Sequence, residues 1–218
     1  MAIMNYSMVM SYLARILPER DAELQQMEAW AVEHNFPILD PVSAHFCYQL
    51  ARISGARRVF EMGSGYGYST AWFARAVQEN GGGEVHHTVW DTQLSSRARH
   101  SLDAMGYADL VQYHVGEAVG ALRAAEGQFD LIFNDIDKQQ YPESLAVIHE
   151  KLRPGGLLLV DNLLWYGRIF SALDHEPATQ AIRAFTLMLT RDPAWSTSIV
   201  PVGDGVLVAI KKETGKGP

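Results

Sequence analysis

Cysteine is nearly absent, with Cys47 alone in 218 residues. One thiol excludes an internal disulfide and any multi-cysteine metal cluster, and it suits a reducing compartment, the cytoplasm. Its simplest use is as a small apolar core residue. Long apolar runs are missing too. No stretch reaches the ~18 residues that a membrane helix needs. The Met-rich start, residues 1–20, has no basic leader or A-x-A site and is broken by Arg15, so it reads as an amphipathic helix and not as a targeting segment. Basic charge is in deficit, 18 Lys and Arg against 25 Asp and Glu, a net charge of -7. That balance gives no electrostatic reason to expect a polyanionic partner. Nor do the eight histidines contain an HExxH pair. What is present, 48% hydrophobic and 20% charged residues, has globular proportions. The length suits a single α/β domain.

The most informative stretch is 129–168, FDLIFNDIDKQQYPESLAVIHEKLRPGGLLLVDNLLWYGR. Two short continuous apolar runs, 129–133 and 157–160, read as strands buried on both faces of a parallel sheet. A helical segment at 142–152 joins them, and a Pro-Gly-Gly break precedes the second; the geometry is a right-handed crossover. Asp135 follows the first strand and Asp161 with Asn162 follows the second. Ligands of open α/β sheets bind outside the carboxyl ends of strands. Three oxygen-bearing side chains gathered there suit a hard cation, with water completing its shell. Lys138, three residues past Asp135, can serve the same pocket. Each acid taken singly could equally cap the next helix.

The rest of the chain supplies the frame. Helices are expected at 21–35 and 42–53, separated by the stiff Pro37-Ile38-Leu39-Asp40-Pro41 segment, which either crosses near a ligand or merely connects. Strands follow at 58–62, 84–90 and 110–115, alternating with helices at 70–78, 92–105 and 117–125. A long helix at 177–189 leads to strands at 198–202 and 206–211, joined by Gly203-Asp204-Gly205, a hairpin turn signal. This is a Rossmann-like doubly wound α/β sheet of seven strands, mostly parallel, with an antiparallel C-terminal hairpin and helices on both faces. The tail, 213–218, is expected to fray.

A glycine-rich turn, Gly63-Ser64-Gly65-Tyr66-Gly67, sits between the first strand and its helix. Its spacing is GxGxG and lacks the third glycine of a dinucleotide fingerprint. Asp91, after the second strand, can hold two ribose hydroxyls, cap the following helix, or do both. Gly116 offers close approach at the third strand end. A nucleoside ligand fits this set better than a dinucleotide.

With those residues in view, RVFEMGSGYGYSTAWFA, FDLIFNDIDKQQY, LRPGGLLLVDNLLWYGR and PVGDGVLVAIKK resemble the cation-dependent S-adenosylmethionine (SAM) O-methyltransferases, the catechol and caffeoyl-CoA group with its bacterial members. The resemblance covers roughly 37–211. It implies a 56–211 cofactor-binding core behind a 1–55 helical cap region. It also implies Asp135, Asp161 and Asn162 as ligands of a divalent cation, Mg²⁺ with Mn²⁺ or Ca²⁺ as alternatives, and Lys138 as catalytic base. Glu61, Gly63 and Ser69 would line the methionine end of SAM, with Asp91 at the ribose and Gly116 and Ala118 near the adenine. Gly65, Tyr68 and Asp135 join the cofactor-binding positions, and Trp165 would flank the acceptor. The implied acceptor is a small aromatic with vicinal hydroxyls, and the implied assembly a homodimer. Asn134, Ile136 and the run 89–92 depart from the usual pattern. Two other readings stay open: methylation of a hydroxylated uridine in transfer RNA, and a non-catalytic SAM-binding module. A nicotinamide dehydrogenase is disfavoured by the missing glycine.

Overall fold

The computed structural model describes residues 5–213; the tail expected to fray lies outside them except for Glu213. Seven strands form one sheet in the order β3-β2-β1-β4-β5-β7-β6. They are β1 (Arg58–Met62), β2 (Glu84–Val89), β3 (Val111–Val115), β4 (Phe129–Asn134), β5 (Leu152–Val160), β6 (Trp195–Val200) and β7 (Val206–Lys211). The first five run parallel, and β7 is antiparallel to both β5 and β6. Eight α-helices accompany them: α1 (Tyr6–Ile16), α2 (Ala22–Glu33), α3 (Pro41–Ile53), α4 (Tyr68–Glu79), α5 (Thr92–Ala104), α6 (Ala118–Ala124), α7 (Tyr141–Lys151) and α8 (Pro177–Arg191).

Strand side chains alternate between faces, and here both faces are buried. Val59, Leu131, Leu157 and Leu159 enter one apolar cluster with Leu24 of α2, Ala44 of α3, Phe73 of α4 and Leu102 of α5. Their neighbours Phe60, Ile132, Leu158 and Val160 enter a second with Leu122 of α6, Ile148 of α7 and Phe185 of α8. The continuous apolar runs therefore mark a central sheet clad on both sides. Helix starts follow local chemistry. Asp40 accepts from the Val42 and Ser43 amides ahead of Pro41 at the first turn of α3, and Glu117 does the same for α6.

Most expected bounds shift by one or two residues, and two strands, β5 and β6, differ by more. β5 starts at Leu152 rather than 157: Phe129 pairs with Leu152 but Leu131 with Leu157, so the sheet absorbs Arg153-Pro154-Gly155-Gly156 as an irregularity. Pro154 has no amide to donate and Gly155 has φ 74°, which bends the strand without ending it. β6 begins at Trp195 and stops at Val200. Pro201 cannot extend the ladder, and the Val202 amide turns back to the Val200 carbonyl at 2.8 Å. No helix among the described residues is long and apolar enough to cross a membrane.

Candidate active site

β1 and β4 are neighbours although their connections leave in opposite directions, which opens a crevice at their carboxyl ends. A cavity of about 560 Å³ occupies it, lined from one side by Gly63, Gly65, Tyr68 and Ser69 of the first turn. Asp91, Gly116 and Ala118 line its second-strand and third-strand side. Asp135, Lys138, Asp161, Asn162 and Trp165 close the far end. One expected residue is set back. Glu61 is fully buried behind the turn and forms no part of the cavity wall.

The turn is built by close contact. Gly63 has φ 84°, and a Cβ there would run into the Asp135 carbonyl oxygen; the Asp135 amide bonds the Met62 carbonyl at 2.9 Å. Only glycine allows that approach. The N-terminus of α4 then faces the crevice at Tyr68 and Ser69, where free backbone amides favour an anionic group such as a carboxylate. Burial pushes the Glu61 carboxyl up to about 7, opposed by hydrogen bonds from Ser69, Thr70 and Ser64. Its Oε1 has no hydrogen-bond partner. Asp91 does cap α5: one oxygen, Oδ1, accepts from the Gln93 and Leu94 amides at 2.7 and 3.0 Å. Both bonds use the same oxygen, and Asp91 also lines the cavity.

The acidic end is the most charged. Lys138 Nζ donates to Asp135 Oδ1 at 2.6 Å and to Tyr141 Oη at 2.9 Å, and Tyr141 Oη donates to the Asp161 carbonyl at 3.0 Å. Lys138 is thus paired with the Asp135 carboxylate and linked through Tyr141 to the Asp161 backbone. Asp161 is 5% exposed. Burial, and then the charge of Asp135, push its carboxyl up to about 8, with Lys138 opposing; burial also raises Asp135, against the attraction of Lys138. Two acids stand here against one ammonium, and the donors are carboxyl and amide oxygens, the chemistry a hard divalent cation takes. Among the described residues no group of three or more His, Cys, Asp or Glu is placed to hold a metal. A cation here would therefore draw on two carboxylates, the Asn162 amide, water and acceptor oxygens. Asn162 has φ 61°, a conformation that asparagine tolerates better than most residues.

The stiff 37–41 segment is open to two readings in the sequence, and Phe36, Trp90 and Tyr166 carry no signal there. Phe36, Ile38 and Leu39 line the cavity, so the stiff segment after α2 is a wall and not a plain connector. Trp90, 68% exposed, and Tyr166, 78% exposed, stand at the cavity margin. Cys47 is buried, its thiol pushed well above the ordinary range by burial and the surrounding carboxylates, which leaves it unreactive.

Comparison with known proteins bears on this geometry. A family profile described as O-methyltransferase matches residues 17–212. A catechol O-methyltransferase of Niastella koreensis is 31% identical over 212 residues, covering 92% of this chain and 95% of the relative. Among solved structures, an O-methyltransferase from Bacillus cereus in complex with SAH superposes with a TM-score of 0.85 at 28% identity, covering 94% of this chain and 97% of that one. Another from Streptomyces achromogenes, involved in tomaymycin synthesis and in complex with SAM, gives 0.85 at 27% identity, covering 97% and 100%.

Proposed function

The chain belongs to the O-methyltransferase family, and from that membership we propose a divalent-cation-dependent transfer of the SAM methyl group to one hydroxyl of a catechol-like, vicinal-dihydroxy aromatic. Methylation with SAM as donor is the activity class of the family and its ligand-bound neighbours. The finer reading rests on one observation: Asp135, Asp161, Asn162 and Lys138 meet at one end of the cavity, with more buried carboxylate than cation to balance it.

A phenol with pKa ~10 is ionised in about one molecule per thousand at neutral pH. Recovering that factor lowers the barrier by roughly 4 kcal/mol. Asp135, Asp161 and Asn162 would hold a divalent cation, which when bound would supply Lewis acidity that favours the ionised hydroxyl. Lys138, held between Asp135 and Tyr141, would take the hydroxyl proton as a neutral amine, having first passed its own proton to solvent. Gly63, Gly65, Tyr68, Ser69 and the start of α4 would bind the methionine end of SAM, with Glu61 acting from behind through Ser69. Asp91 would take the ribose, and Gly116 and Ala118 would flank the adenine. Trp165 walls the acceptor side. Fixing the methyl carbon in line with the attacking oxygen supplies the remaining rate through proximity, and no protein atom is alkylated.

The reading includes a homodimer and a cytoplasmic setting. The exposed Met8, Tyr12 and Ile16 of α1, a helix with no buried residue, support the first, and the free buried thiol supports the second. Labelled SAM offered with catechol, caffeoyl esters, flavonoids and bulk transfer RNA tests the proposal. Catechol labelling that stops in EDTA and returns with Mg²⁺ is the expected result. EDTA-insensitive turnover would remove the metal role, labelled RNA would favour the nucleic-acid reading, and SAM binding without turnover would favour a non-catalytic module.

A further inference from the structure

The segment after β5 is unusual in its backbone. Of the four non-glycine residues with positive φ among the described residues, three lie there: Asn162 (61°), Trp165 (47°) and Tyr166 (52°). For bulky residues such as tryptophan and tyrosine this conformation is strained and persists only when the surroundings enforce it. Here the surroundings are the β6–β7 turn. The Leu163 amide bonds the Gly205 carbonyl at 2.9 Å and the Leu164 amide bonds the Asp204 carbonyl at 2.9 Å. The Tyr166 amide is taken by a side chain, Asp204 Oδ1, at 2.7 Å. Gly205 lies so close that a Cβ would meet Leu164 Cγ at 2.5 Å. The turn itself is backed by the Tyr6 phenol, which donates to the Gly203 carbonyl, and by Asp40 and Ser43, into which a Cβ on Gly203 would run.

The turn does not need a carboxylate. Gly203 (φ 55°) and Gly205 (φ 87°) supply its left-handed residues. Yet Asp204 Oδ2 is buried without a hydrogen-bond partner, an arrangement that costs free energy and that a solvated turn residue would avoid. The acid therefore serves the neighbouring segment and not its own turn.

We propose that Asp204 is a positioning residue for the acceptor wall: by capturing the Tyr166 amide it holds Trp165 and Tyr166 in their left-handed backbone at the cavity margin. The inference rests on the acceptor-side assignment made above. It predicts that acceptor recognition depends on Asp204 while SAM recognition, at the other end of the cavity, does not. Three substitutions and three readouts test it. Asp204→Ala removes the acceptor of the Tyr166 amide, Asp204→Asn keeps one, and Tyr166→Gly relieves the strain, since glycine adopts positive φ freely. In Asp204→Ala, KM for catechol should rise about tenfold, the scale of a hydrogen bond to a charged group, with SAH affinity unchanged. Amide exchange at 164–166 should accelerate. Asp204→Asn should restore both KM and exchange, and Asp204→Ala should do less harm in the Tyr166→Gly background.

Unchanged exchange at 164–166 in Asp204→Ala would overturn the proposal. So would an equal loss of acceptor and SAH binding, which marks general destabilisation, or a defect in Asp204→Asn as large as in Asp204→Ala. If the wild-type enzyme methylates no catechol, the functional reading fails by itself and the exchange measurements still decide the role of Asp204.

Discussion

A buried acid held close to a second carboxylate should make this protein respond to pH and divalent cations together. Asp161 carries the effect: burial and Asp135 push its carboxyl from 3.8 to about 8. It titrates with Asp135 as a pair, so the macroscopic step belongs to both. A folded-state pKa above the unfolded one means that the folded protein binds the extra proton. The contribution is complete below about pH 4 and is lost as pH rises toward 8, with a ceiling of several kcal/mol. A divalent cation reverses the trend, because it favours the ionised pair and must displace a proton below pH 8. Its affinity should then fall about tenfold per pH unit from 8 to 6. A hundredfold change corresponds to about 2.7 kcal/mol of stabilisation, or roughly 5–10 °C in Tm for a domain of this size. Thermal unfolding at pH 6, 7 and 8, with Mg²⁺ and with EDTA, reads this directly. The Mg²⁺-induced rise in Tm should grow with pH in the wild type and vanish in Asp161→Asn. A Mg²⁺ effect that is independent of pH, or that survives Asp161→Asn, would refute the reasoning.

Further outcomes follow from individual contacts. Lys138→Ala should lower kcat by about 10²–10⁴, the range for a lost general base, while calorimetry finds SAH affinity unchanged; equal losses in both would reassign Lys138 to binding. Asp91→Ser keeps a good helix cap but loses the carboxylate, so reduced SAH affinity at unchanged Tm would support the ribose role, and unchanged affinity would leave only the cap. Gly63→Ala places a Cβ against the Asp135 carbonyl at a left-handed position, and should cost more than ~1 kcal/mol in denaturant unfolding and abolish SAH binding. Glu61, raised to about 7, also loses its contribution to stability as pH climbs through 7, and Glu61→Gln should flatten that part of the pH profile.

Much of the fold was legible because its signals are local. Apolar runs such as 129–133 have breakers on both sides, and Asp91 and Glu117 sit where strand gives way to helix. The start of β5 was hidden because Arg153-Pro154-Gly155-Gly156 looks like a break, whereas Leu152 still pairs with Phe129 across the irregularity. At the site, Asp135, Asp161, Asn162 and Lys138 could be read from their place at strand ends, and the structure does gather them around one cavity. Phe36, Trp90, Tyr166 and Asp204 could not, because their importance lies in contacts between distant segments. The Asp204–Tyr166 bond joins residues 38 positions apart, and nothing in either neighbourhood announces it. Glu61 was expected at the ligand but sits one layer behind, since strand alternation and the tight turn after Met62 turn it into the core.

Everything chemical in this account depends on a cation gathered by Asp135, Asp161 and Asn162. Crystals grown with SAH and Mn²⁺, and examined for anomalous scattering from manganese, test that claim most directly. The account predicts one strong peak bonded to oxygens of all three residues. SAH-bound crystals with no peak there, and with Lys138 still closed on Asp135, would contradict it.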